Sequence, residues 1–259
     1  MKLEGFQTNT NESKKQPELT REQFMEKLKD PYWLPKFDEI VGVIDSFTDK
    51  EGVKVLDETD QRKWQDFLFD EQSPIFEIWT REYIENFSNY LSERSKALGG
   101  TKENPTVILE VGAGDGKLSY FLNKRFQEVK EDTIKYCTTG IDIIGRFEIK
   151  SPFNNVENIS EKDALKKYKP SIVISSWMNY GEDWTEDFRN TKSVHEYILI
   201  GPRGPCGTEE TWENSENFKV DYRKDLNKFQ LSRLDILDGL RKNYSSDLIS
   251  LTVLFTQSE

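Results

Sequence analysis

The sequence predicts an α/β protein: a three-layer sandwich on a mostly parallel sheet of seven strands, closed by an antiparallel hairpin strand and preceded by helices. Three observations lead there. An apolar run beginning at Thr106 enters three glycines at alternate positions, Gly112, Gly114 and Gly116, which reads as a strand turning abruptly into a helix. Beyond it, strand signals alternate with helical patterns, the mark of a sheet built by crossover units. Two late strand signals can then pair antiparallel.

Residues 1–18 are polar with scattered apolar positions, so a mobile tail is expected there. Residues 19–100 read as a helical segment. Thr20 with Gln23 offers a capping box, and Phe24, Leu28 and Trp33 give a short helix ending near Pro31. Ser73-Pro74 reads as a second helix start, followed by Ile75, Trp79, Tyr83, Phe87 and Leu91 at helical spacing. That helix should run to about Ala97, where Gly99-Gly100 breaks it. Residues 101–259 form the main domain. Its first strand follows Pro105, its first crossover helix spans 118–130, and strands follow at 136–143, 156–159, 171–176 and 196–200. A short helical turn is expected at 164–168, and the late strands at 229–237 and 251–256.

A chain of 259 residues can bury one large core. Charged residues make up 32%, so the surface is heavily charged, while 12% aromatics argue against a wholly disordered chain. The formal net charge of −11 disfavours a broad nucleic-acid surface, which needs a basic track. Two cysteines and one histidine assemble neither a disulfide framework nor a metal motif, so reduced thiols and no metal are expected. No apolar stretch approaches the roughly 20 residues that cross a bilayer, and the start lacks an apolar signal core. A cytoplasmic location is the expectation, with a nuclear one and the oligomeric state left open.

Two kinds of nucleotide cofactor use such a glycine turn. A dinucleotide fingerprint wants G-x-G-x-x-G with its third glycine inside the helix, and Lys117 stands there instead. Glu110, two residues before the first glycine, would repel a pyrophosphate but suit a cation. At Glu110-Val-Gly112-Ala-Gly114-Asp-Gly116 the chain resembles the class I, seven-strand S-adenosylmethionine-dependent methyltransferases, whose first motif is (E/D)-x-G-x-G-x-G. The resemblance covers about residues 107–257. It implies a Rossmann-like sheet ending in an antiparallel hairpin, S-adenosylmethionine as cofactor, and a methyl acceptor that is a small molecule or a protein side chain. Two rivals stand beside it: a methyltransferase-like binding protein without turnover, and a nicotinamide-dependent oxidoreductase, which Lys117 and Glu110 disfavour.

The cofactor residues expected are Glu110, Gly112, Ala113, Gly114 and Gly116 in the turn, with Asp142 at the end of the second strand to hold the ribose diol. By local pattern, Asp163 and Ala164 match the place where similar enzymes meet the adenine amino group. Asp163 could equally cap a helix, and Glu161 or Asn158 could fill the same role. Arg81 could pair the methionine carboxylate, whereas the spacing of Trp79 and Tyr83 reads as core.

The resemblance implies an acceptor pocket after the fourth strand, at 175–184. That stretch departs from the Asn-Pro-Pro-Tyr type, which disfavours adenine and glutamine acceptors. Trp177, Tyr180 and Glu182 are the candidate catalytic residues, with Asp183 and Trp184 beside them: aromatics could wall a pocket or face a cation, and an acid could take a proton. The loop 201–207 could shape a substrate wall. His195 and Cys206 read as structural.

Overall fold

The computed structural model describes residues 19–47, 56–70, 74–140, 152–153, 156–239 and 246–258. The expected tail 1–18 and Asp142 lie outside them. Helix α1 (Arg21–Leu28) starts at the expected box: the Thr20 hydroxyl accepts from Gln23 N, and the Gln23 side chain accepts from Thr20 N. Helices α2 (Phe37–Asp45) and α3 (Glu58–Leu68) complete the N-terminal group. Phe24, Ile40, Val43, Phe47, Trp64 and Leu68 are buried together there.

Helix α4 (Arg81–Ala97) ends where expected but begins later than Ser73-Pro74 indicated. Thr80 is its cap: the hydroxyl accepts from Tyr83 N at 3.1 Å and donates to Phe229 O at 3.0 Å. The preceding residues are extended because Glu77 forms an antiparallel bridge with Ser232, and Ile78 N donates to Leu231 O. A tertiary partner for the backbone outweighs the local helical spacing.

Strand β1 (Thr106–Val111), helix α5 (Lys117–Glu128), strands β2 (Ile134–Gly140) and β3 (Glu157–Asn158), helix α6 (Glu161–Tyr168) and strand β4 (Ile172–Ser176) follow in crossover order. After helix α7 (Thr185–Asn190), strand β5 (Glu196–Pro202) and helix α8 (Glu209–Glu213) comes β6 (Phe218–Tyr222). Helices α9 (Lys224–Asn227) and α10 (Arg233–Gly239) lead to β7 (Ser250–Gln257).

The sixth strand is therefore 218–222, not 229–237. In that latter stretch the Asp235 carboxylate accepts from Ser232 N at 2.6 Å and the Ser232 hydroxyl accepts from Leu234 N, a reciprocal cap that starts α10. Leu231, Ile236 and Leu237 then join the N-terminal core rather than the sheet.

The sheet order is β3-β2-β1-β4-β5-β7-β6, parallel except that β7 is antiparallel to both β5 and β6. Alternate side chains fill opposite faces. Ile108, Ile174 and Ile198 pack with Phe87, Leu91 and Phe121 of α4 and α5, whereas Leu109, Val173 and Tyr197 pack with Leu165 of α6 and Phe188 of α7. This is a Rossmann-like three-layer sandwich with N-terminal helices. The carboxyl ends of β1, β4 and β5 and the start of β7 share one edge, since Ser250 faces Pro202.

Candidate functional site

At that edge the chain leaves β1 through Gly112 and Gly114, both with positive φ (+66° and +56°). A Cβ on Gly112 would stand 2.8 Å from Cζ3 of Trp184, so the indole lies on the main chain there. A Cβ on Gly114 would meet no protein atom within 4 Å. The first turn position is thus closed by the protein, and the second is open to a ligand. Ala113 N donates to Thr139 O at 3.1 Å, which ties the turn to β2, and Gly116 supplies the left-handed residue before α5.

Beside the turn is a cavity of about 900 Å³, within the range of small-molecule sites. Glu110, Gly112, Ala113 and Gly114 line it from below, with Gly140 at the end of β2. Leu28, Trp33 and Pro35, around the end of α1, line it from the N-terminal side. The helical segment therefore walls the cavity.

Glu110 is 1% exposed, and its carboxylate accepts from the Tyr136 hydroxyl at 3.0 Å. No cation lies within ion-pair distance of it among the described residues. Burial, helped by nearby Asp115, pushes its pKa up to about 8 against the pull of Tyr136. Lys117 also lines the cavity, with its pKa lowered by burial despite Asp115 and Asp30. A buried carboxyl without a cation, beside an open glycine, fits the cationic methionine end of S-adenosylmethionine.

Not every expected cofactor residue reaches the cavity. Gly116 is buried at the start of α5 and does not line it. Asp163 is exposed on α6, where its backbone N–H donates to the Ser160 hydroxyl at 3.1 Å, and Ala164 is fully buried in the core. At the end of β3 the lining residues are instead Asn158, Ile159 and Glu161. Asp163 lies in the first helical turn rather than at a cap or in the cavity, because Ser160 caps α6 and starts it at Glu161, three residues earlier than the sequence reading placed it. Arg81 is exposed at the start of α4 and donates its N–H to Pro35 O. Tyr83 is core, bonded to the Thr252 hydroxyl at 2.7 Å, whereas Trp79 is both buried and lining.

The segment after β4 lines the cavity with Trp177, Asn179, Glu182 and Trp184. Tyr180 is 80% exposed and does not line it. Trp177 has φ +55°, a strained value for a bulky residue. Three contacts hold it: its N–H donates to Ile200 O at 2.8 Å, its Nε1 donates to Glu77 Oε2 at 2.7 Å, and Arg233 lies over its ring. Glu77, missed by the sequence reading, is 9% exposed and lines the cavity. Ser250 Oγ stands 3.0 and 2.9 Å from its two oxygens, and burial pushes its pKa up to about 8. The available signal was an acid set among Ile75, Phe76, Ile78 and Trp79, which a helical assignment hid.

His195 is exposed at the opposite edge, near Gln257. Cys206 is buried with its thiol pushed up by burial, which leaves no thiolate. Among the described residues no cluster suited to a metal occurs, and no helix is long and apolar enough to cross a membrane.

No family model matches the chain and no curated protein matches it, whereas 131 solved chains do. The CMeT domain of the citrinin polyketide synthase is 13% identical at a TM-score of 0.43, over 68% of this chain and 52% of that one. The N-terminal domain of human METTL16, in complex with SAH, is 12% identical at 0.41, over 87% and 95%. The plantazolicin methyltransferase BamL, in complex with a desmethylPZN analog and SAH, is 15% identical at 0.38, over 68% and 85%. This chain spans about half the length of the first two matches. Likeness this distant carries no argument about what the chain does, whereas its own strand order and turn do bear on its fold. By that order, with β7 antiparallel beside β5, the chain has the class I, seven-strand fold of S-adenosylmethionine-dependent methyltransferases.

Proposed function

We propose that the chain is an S-adenosylmethionine-dependent methyltransferase whose acceptor is a small molecule or a protein side chain. The observation that carries this is Glu110: a buried carboxyl with no cation partner among the described residues, in a cavity beside a glycine turn open at Gly114. Such a group is costly to ionise alone and becomes favourable once a bound cation faces it.

When bound, the cofactor supplies a methyl group on a positively charged sulfur, which leaves as a neutral thioether. The chain's own residues need then only hold, align and exclude water. Glu110 would face the cationic methionine end, with Lys29 and Lys117 near enough to the cavity to meet its carboxylate. Asn158, Ile159 and Glu161, which line the cavity, would meet the base, and Asp142 would hold the ribose. Trp33, Trp79 and Trp177 would seal the acceptor side.

The test is calorimetry with S-adenosylhomocysteine and NADH, paired with labelled-methyl transfer into cell extract fractionated by size. Binding of the homocysteine compound with label in small solutes or protein is the expected result. Affinity for NADH alone would sink the reading; cofactor binding with no transfer to any fraction would favour the binding protein. Label confined to nucleic acid would overturn the acceptor class.

A further inference from the structure

The cavity holds a second buried carboxyl that cofactor binding does not use. Glu77 sits between Trp177, which follows β4, and Ser250, which opens β7. Neighbouring strands stand about 4.8 Å apart, and the order β1-β4-β5-β7 puts these partners one to three strands from β1. Glu77 is therefore on the order of 5 to 14 Å along the edge from Glu110. Among the described residues, every neighbour bonded to it is a neutral donor: the Trp177 indole N–H, the Ser250 hydroxyl and the Gln230 side-chain amide, whose Nε2 also donates to Ser250 Oγ at 2.8 Å. Among the described residues none forms an ion pair with it.

Aromatic side chains stand beside the carboxyl: Trp177 presents its indole N–H edge to it, the Phe76 ring lies 5.3 Å from Trp177 with Arg233 over both rings, and Trp79 also lines the cavity. The remaining lining charges are Asp115, Glu161 and Glu182 against Lys29 and Lys117, an acidic balance. A carboxyl beside aromatic rings is a receptor for an ammonium group.

Resting on the methyltransferase reading, we infer that Glu77 binds the protonated amine of the methyl acceptor and takes the proton that must leave nitrogen before it can be methylated, so the acceptor is an amine. The balance is simple. An ammonium and the Glu77 carboxylate become a neutral amine and a carboxylic acid, freeing the nitrogen lone pair. The new C–N bond forms as the C–S pair returns to sulfur, and the Glu77 proton goes to water on product release. Trp177 and Ser250 aim the carboxylate, and the strained backbone at Trp177 is held for that purpose.

The groups facing Glu77 set its pH behaviour. Asp235 on α10 adds to the upward push of burial, while Tyr83 and Cys206 are kept neutral by burial. Arg233 lies beyond the Trp177 ring, 4.9 Å from its centroid. Below pH about 8 the carboxyl is protonated in the absence of a cation, so ammonium binding must expel a proton.

The test uses full-length protein saturated with S-adenosylhomocysteine. Benzylamine, 2-phenylethylamine and Nα-acetyl-lysine amide are titrated against the matching alcohols. At least one amine should bind ten or more times tighter than its alcohol, a preference that Glu77→Gln abolishes while homocysteine-compound affinity is kept. In wild-type protein at pH 7, calorimetry in buffers of different ionisation heat should show close to one proton released per amine bound, and amine affinity should rise with pH toward 8. Those two readouts need no variant. Equal amine and alcohol affinities, a preference that survives Glu77→Gln, no proton release, or no amine binding overturns the inference. Failure of the homocysteine compound to bind sinks instead the function it rests on.

Discussion

Glu196 and Glu110 are both acids buried in the sheet, 0% and 1% exposed, yet their surroundings are opposite. Glu196 opens β5 at the edge away from the cavity, where Arg94 Nε donates to it at 2.6 Å, the Tyr90 hydroxyl at 2.5 Å and the Thr256 hydroxyl at 3.4 Å. Glu110 is next to last in β1 at the cavity edge and, among the described residues, receives one phenol hydroxyl and no cation. A buried carboxylate supplied with its own cation fastens the fold. One supplied with none is a place where the fold keeps a cost for a ligand to relieve.

The largest expected effect breaks the satisfied pair. Arg94→Ala strands the Glu196 charge in the core and should cost about 3 kcal/mol in urea denaturation, whereas Glu110→Gln should leave the midpoint unchanged or raise it. Equal losses would erase the distinction between the two ends.

Next, Glu110→Gln should weaken S-adenosylhomocysteine about thirtyfold, a change of about 2 kcal/mol, in a titration where Arg94→Ala at low temperature shows little change. An unaltered affinity would remove Glu110 from the site.

A third effect sharpens the contrast through pH. Because the folded-state pKa of Glu110 stands near 8 rather than 4.5, the folded chain binds the extra proton between those values. Stability is then highest in the acid part of that window and falls as pH rises toward 8, by at most about 1.4 kcal/mol per pH unit for this group. Glu110→Gln should make the decline shallower when urea midpoints are read from pH 5 to 8. A decline of the same slope in both proteins would mean that the carboxyl is not held neutral.

The smallest effect separates the two glycines of the turn. Gly114→Ala meets no protein atom and should cost about 1 kcal/mol for its left-handed backbone, while S-adenosylhomocysteine affinity falls at least tenfold. Gly112→Ala, which meets Trp184, should lose more stability than Gly114→Ala. The reverse order would mean that the opening lies at the other glycine.

The glycine turn and most of the sheet were legible because their signals are local. A strand followed by alternating glycines, the Thr20–Gln23 box and the apolar runs of β4, β5 and β7 each declare themselves within a few residues. The misreadings share one cause. Residues 75–79 carry helical spacing but bridge to Ser232, and 229–237 carry apolar residues that serve the N-terminal core through α10. Each stretch is the other's partner, so neither could be read alone. Strand β6 was missed because three of its five residues are charged or tyrosine, as suits an exposed edge.

By itself the sequence determined the α/β class, the strand-to-helix turn and the acid that precedes it, since backbone permission and side-chain period are properties of neighbouring residues. Only tertiary structure decided which carboxyls stand without a cation among the described residues. It folded 75–79 over the sheet edge, buried Glu77 between Trp177 and Ser250, and left Asp163 in solvent. Burial and charge pairing depend on what distant segments bring to the same place, and spacing along the chain does not record that.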